Sequence, residues 1–339
     1  MKIIIDAMGG DNAPDEIVLG TVNAVKNSDT EAVLVGKTEE ILRVFEKLNI
    51  KDIPKGIEIV NATEVIEIDE DPATAIRIKK DSSLTVGLTL LRDGRGDAFV
   101  SAGSTGALLS GATLIVKRVR GIRRAALAPL IPSISGRFVL IDCGANAECT
   151  PEYLLQFAYM GSFYAEKELK IKSPKVGLLN NGTESTKGTT LQHETYKLLT
   201  DSNLNFIGNI EAKDVMKGGC DVLVCDGFTG NVFLKTVEGT ASLIMSELKG
   251  VFFSNFITKI SALLVKKQLN GLKGKLNPDS VGGTALLGIS KPVIKAHGSS
   301  GAFAIENAIM QAVGDARSDI AAQFVNNIEL MKVSVDKPD

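Results

Sequence analysis

One pattern recurs along this chain and limits what it can fold into. A short apolar run ends in a polar residue, passes into a glycine-rich loop and gives way to a helix-like stretch. Lys2-Ile3-Ile4-Ile5 leads into Asp6-Ala7-Met8-Gly9-Gly10-Asp11, and Asp97-Ala98-Phe99-Val100 into Ser101-Ala102-Gly103-Ser104-Thr105-Gly106-Ala107. Phe138-Val139-Leu140-Ile141 leads into Asp142-Cys143-Gly144-Ala145-Asn146, and Val176-Gly177-Leu178-Leu179 into Asn180-Asn181-Gly182-Thr183-Glu184. Val222-Leu223-Val224-Cys225 leads into Asp226-Gly227-Phe228-Thr229-Gly230-Asn231, and Val293-Ile294-Lys295-Ala296 into His297-Gly298-Ser299-Ser300-Gly301. Runs apolar on both faces that alternate with helices predict a parallel sheet covered on both sides. Ligands of such sheets bind beyond the carboxyl ends of the strands, where all these loops fall. Glycine admits close backbone approach, and helix N-termini favour anions. Tight strand-to-helix turning is the alternative use of the same glycines.

Other segments fit the scheme. Residues 31–36, 57–60 and 205–208 read as strands. Thr38 to Leu48 reads as a helix with Ile41, Leu42, Phe45 and Leu48 on one stripe. Tyr153 to Lys167 reads as another, opened by Thr150 as cap and Pro151 at the first helical position. No internal repeat and no interdomain linker is evident. The chain is expected to form one α/β domain over 1–328, with a helical protrusion at about 245–278 and a polar, frayed tail over 329–339.

Composition removes several function classes. Lys and Arg number 38 against 40 Asp and Glu, so there is no basic excess of the kind nucleic-acid binders show. Cys143, Cys149, Cys220 and Cys225 form no CxxC pair and read as reduced, mostly buried thiols. With His193 and His297 the only histidines, a zinc site is not expected. No GxSxG elbow, Walker loop or GxGxxG turn is present. No signal peptide and no run of about 18 apolar residues occurs, which predicts a cytoplasmic, non-spanning protein.

The motifs at 6–11, 101–107, 142–146 and 226–231, in that order, resemble the PlsX family, the phosphate acyltransferases of bacterial phospholipid synthesis. The likeness runs from Met1 to about Ile320. It implies an α/β/α three-layer sandwich with a mostly parallel sheet, related to phosphate acetyltransferase and the isocitrate dehydrogenase group. It further implies a homodimer that transfers a long-chain acyl group from acyl carrier protein to inorganic phosphate. A downstream membrane acyltransferase would consume the acyl phosphate. The chain departs from the family pattern at Asn12, at Ser104 and at Arg124-Ala125; Asn12 argues against a base at that position.

Phosphate arrives charged and nucleophilic, so the site needs positioning and oxyanion stabilisation more than a strong base. Ser104, Thr105 and Gly106 are candidates for holding it, with Asp6, Gly9, Gly10, Asn146 and Gly230 as further substrate-binding positions. Asn231 offers a side-chain donor from the Asp226 loop. Lys187 resembles the family's active-site lysine, and would neutralise phosphate or polarise the thioester; a solvated loop lysine is the alternative. His297 is a candidate acid for the leaving thiolate or a loop-bracing histidine, whereas His193 reads as surface or packing. Asp6, Asp11, Asp142 and Asp226 read chiefly as caps and braces, with Mg²⁺ binding the lesser alternative; no obligatory metal and no cofactor is expected.

Two basic segments remain. Arg118, Arg120, Arg123 and Arg124 form a run suited to docking an acidic carrier protein, or to plain solvation. Over Val251 to Gln268, read as one helix, Phe252, Phe253, Phe256, Ile257, Ile260, Leu263 and Leu264 fall within an arc of roughly 140° at about 100° per residue. With Lys249, Lys259, Lys266, Lys267, Lys273 and Lys275 around it, this helix suits a membrane surface or an acyl chain; a packing interface is the alternative. A short-chain, CoA-dependent phosphate acyltransferase of the same fold is the rival function.

Overall fold

The computed structural model describes residues 1–276 and 282–332. Its strands, in chain order, are β1 (Lys2–Asp6), β2 (Glu31–Gly36), β3 (Ile57–Asn61), β4 (Ala98–Ser101), β5 (Ala126–Ala128) and β6 (Leu130–Ser133). They continue with β7 (Gly136–Ile141), β8 (Val176–Asn180), β9 (Phe206–Glu211), β10 (Val222–Val224), β11 (Thr284–Leu287) and β12 (Val293–Lys295). The expected sheet is present as two. One has seven strands in the order β3-β2-β1-β4-β12-β11-β5, the other five in the order β6-β7-β10-β8-β9. Pairing is parallel except for β11 with β12, β11 with β5, and β6 with β7. The near-continuous run from Ala126 to Ser133 puts one half in each sheet, so it hinges the two together.

Strand alternation explains the layers. Ile3 and Ile5 join one buried cluster while Ile4 joins the other; Val139 and Ile141 part from Phe138 and Leu140 in the same way. Each cluster draws residues from both sheets. Helices cover both faces, giving the mostly parallel α/β architecture that the pattern of apolar runs predicts.

Three helical expectations change in detail. The helix Thr38–Lys47 buries Ile41, Val44 and Phe45, while Leu42 is exposed. The helix Pro151–Glu168 begins with Pro151 as expected, but Thr150 makes no side-chain capping bond. The segment 251–268 is not one helix. A long helix, Gly227–Phe253, stops at Ser254; Phe256–Leu264 and Lys266–Leu276 follow as separate helices. The cause is Asn255, held extended at φ −151°, whose Oδ1 accepts from Thr258 N at 3.0 Å while Thr258 Oγ1 accepts from Asn255 N at 3.1 Å. Short polar side chains compete with the helical backbone for its own hydrogen bonds, and here they restart the helix. Residues 277–278 of the expected protrusion and 333–339 of the expected tail lie outside the described residues.

Candidate active site

At the carboxyl ends of the seven-stranded sheet three loops meet. Asp6 ends β1 and is buried; its carboxylate accepts the Ser101 hydroxyl at 2.7 Å and Met8 N at 3.2 Å. Ser101 Oγ in turn accepts Gly103 N at 3.0 Å. Gly10 is at φ +103°, and Asp11 N donates to Gly298 O at 2.8 Å, joining the β1 loop to the β12 loop. Asn12 Nδ2 bonds the carbonyls of Ser299 and Ser300. His297 is exposed, its Nδ1 2.9 Å from Ser299 Oγ. Asp6, Gly9, Ser83, Gly103 and Ser104 line a small cleft here. Burial pushes the Asp6 carboxyl up, against the hydrogen bonds of Ser83 and Ser101 that pull it down.

The five-stranded sheet presents a second set of loops. Buried Asp142 collects five donors: Leu127 N, Cys143 N, Ala145 N, Asn146 N and Asn146 Nδ2. Asn146 Nδ2 also reaches Ala125 O at 2.8 Å. Asp226 caps the helix Gly227–Phe253, accepting Thr229 N at 2.9 Å and its hydroxyl at 2.7 Å. Gly230 lies so close to the Asp142 carbonyl that a Cβ there would stand 1.9 Å from the oxygen. Asn231 is exposed beside Gly144, where a Cβ would be 3.6 Å from its Cγ.

The two loop sets are neighbours. Lys235, on the helix that Asp226 caps, bears electrostatically on both Cys143 of the second set and Lys295 of the first. The Lys235 ammonium itself is paired with Glu238 at 2.8 Å.

Each candidate has its place. Asp6, Gly9 and Ser104 line the first cleft with Gly10 beside it; Thr105 is exposed at the start of the next helix. Gly106 packs against Pro72 rather than facing open space. Asp226, Asn146, Gly230 and Asn231 gather around Asp142. Lys187 lies on an exposed loop fastened by Asn180 Nδ2 to its carbonyl at 3.0 Å, and among the described residues its ammonium has no partner. The fold therefore brings it to the edge of the second sheet, and among the described residues it makes no hydrogen bond or ion pair with Asp226, Asn231 or His297. His193 bonds Thr186 O at 2.9 Å and braces that same loop. Arg118, Arg120, Arg123 and Arg124 are exposed, and Arg124 stacks over Tyr153 at 5.5 Å. Phe253, Phe256, Ile257, Ile260, Leu263 and Leu264 are exposed, whereas Phe252 is half-buried. All four cysteines are free thiols, and Cys149 is the one not fully buried. Among the described residues no three of His, Cys, Asp and Glu gather in a metal-holding group. No described helix is long and apolar enough to cross a membrane.

Sequence reasoning passed over Ser101 and Lys295. The signal for Lys295 was available: it is the one charged residue ending an otherwise apolar run.

The architecture is that of the phosphotransacetylases. A phosphotransacetylase from Streptococcus pyogenes superposes with a TM-score of 0.62 at 19% identity, covering 94% of each chain. A branched-chain phosphotransacylase from Enterococcus faecalis V583 gives 0.58 at 15% identity, over 93% of this chain and 99% of that one. In sequence, a family model described as fatty acid synthesis protein matches residues 1–323. A phosphate acyltransferase of Thermoanaerobacterium thermosaccharolyticum is 46% identical over 331 residues, 98% of each chain. Another, of Alkaliphilus oremlandii, is 51% identical over 314 residues, 92% of this chain and 93% of that one. The chain belongs to this family of phosphate acyltransferases, and it is an acyltransferase.

Proposed function

We propose that the chain transfers a long-chain acyl group from acyl carrier protein to inorganic phosphate. A phosphate oxygen attacks the thioester carbonyl carbon, the C–S bond breaks, and acyl phosphate and the free carrier thiol leave. The observation that carries this reading is the pair of polar, loop-lined sheet edges, one built around Asp6 and Ser101 and the other around Asp142 and Asn146, with Lys235 bearing electrostatically on both. Backbone N–H groups and hydroxyls at 101–106 and the Asn231 amide suit phosphate and the developing oxyanion. His297, exposed and hydrogen-bonded to Ser299, is the residue we assign to protonate the thiolate. Lys187 has an ammonium without a partner among the described residues, on a loop beside the second edge, which suits a thioester or phosphate contact made only when substrate is bound.

The partners follow from surface chemistry. The exposed arginines at 118–124 fit an acidic carrier protein. The exposed apolar side chains of the helix Phe256–Leu264 fit a lipid surface or an acyl chain, as expected of a peripheral enzyme at the inner face of the membrane that hands acyl phosphate to a membrane acyltransferase. A homodimer is the alternative use of this surface. Phosphotransacetylase likeness favours a second reading, a short-chain CoA-dependent transferase, but a two- or four-carbon acyl group needs no such apolar surface.

Incubation with a long-chain acyl-[acyl carrier protein] and phosphate should give phosphate-dependent loss of thioester and formation of acyl phosphate. Thioester that persists with the carrier but is consumed from a short-chain acyl-CoA selects the second reading. Lys187→Ala should cut turnover sharply with unchanged thermal unfolding; an unchanged rate removes Lys187 from the mechanism.

A further inference from the structure

Lys295 ends β12, and its side chain turns into the protein instead of into solvent. Its Nζ donates to Ala102 O at 3.2 Å and to Ala296 O. Ala102 belongs to the loop that carries Ser104; Ala296 opens the loop that carries His297. An ammonium has three donors, and two are committed to these carbonyls. Carbonyls orient the ammonium but do not neutralise it.

The surrounding charges leave it short of compensation. Asp6 from β1 and Asp11 from the loop after it favour the charged form, and Lys235 from the facing helix opposes it. Asp6 is already held by Ser101 and Met8, and burial weakens its own ionisation. Asp11 is exposed. Lys235 is itself paired with Glu238 at 2.8 Å. A half-buried cation that, among the described residues, bonds only neutral carbonyl oxygens is a site that an incoming dianion would complete.

We propose that Lys295 locates phosphate: its remaining N–H and its charge receive a phosphate oxygen at the cleft lined by Asp6, Gly9, Gly103 and Ser104. This rests on the phosphate acyltransferase reading above and assigns the phosphate seat to the first sheet. The same contacts make Lys295 the tie between the Ser104 and His297 loops, so phosphate binding and loop placement share one residue. Burial brings its pKa down to about 8, so the free enzyme carries the charge below that pH and loses it above.

Two experiments test this. In the wild type, kcat/KM for inorganic phosphate should fall about tenfold per pH unit above about 8, since this ratio reports the free enzyme. With Lys295→Met, KM for phosphate should rise on the order of tenfold to a hundredfold, the worth of a charged hydrogen bond, while KM for long-chain acyl-[acyl carrier protein] stays within about twofold. The alkaline fall should vanish in the variant. A wild-type profile flat to pH above 9, or a folded variant with unchanged phosphate KM, overturns the proposal while leaving the function intact. A wild type that forms no acyl phosphate at any phosphate concentration overturns both.

Discussion

Gly230 presses on the backbone of Asp142, across 1.9 Å of what a Cβ would occupy. This contact seats the first turn of the long helix on the loop after β7, so Asn231 comes to rest beside Gly144. Because the obstacle is a carbonyl and not the tip of a flexible side chain, the backbone has to move. Gly230→Ala should lose about 1–3 kcal/mol by chemical denaturation, with a larger loss of activity. Wild-type stability would show that the helix start is free to shift.

Ser101 works in both directions, donating to Asp6 and accepting from Gly103 N. Ser101→Ala leaves a buried carboxylate oxygen and a buried N–H with one partner fewer. The expected loss is about 1–3 kcal/mol, and KM for phosphate should rise because the Gly103-Ser104 loop is no longer held. Equal unfolding midpoints of variant and wild type would disprove the linkage.

The helix Phe256–Leu264 buries no residue, so acidic substitutions there need not disturb folding. Phe256→Glu combined with Leu264→Glu should abolish flotation with anionic-lipid vesicles while sedimentation still reports the native assembly. If the variant instead loses self-association, the apolar surface is a subunit interface.

Thiol titration gives a pH signature. Burial and nearby carboxylates push the Cys143, Cys149 and Cys220 thiols up to about 12. At pH 8 roughly one such thiol in ten thousand is thiolate, so native alkylation should be slow and become fast in denaturant. The linkage has a definite sign. Folded values above the unfolded 9.0 mean that the native state holds more protons, so stability is full below about pH 9 and declines as pH rises towards 12. Rapid labelling of native protein at pH 8 would contradict this burial.

The sequence by itself determined the unit of construction. Apolar runs, terminal polar residues, glycine loops and helix starts are local signals, and β1, β4, β7, β8, β10 and β12 stand where those runs stand. The ordered motifs from 6 to 231 were enough to identify the family. Local signals also allowed a single long apolar arc over 251–268, because periodicity counts residues and does not see Asn255 bond to Thr258 and restart the helix. Only the tertiary structure decided which strand ends are neighbours. Asp6 and Ser101 are 95 residues apart, yet their strands pair, and β12 joins β4 from the far end of the chain. Lys295 shows the reason most plainly. In the sequence it is a lysine after an apolar run, and its burial, its two carbonyl partners and its facing charges arise only when three distant segments close around it.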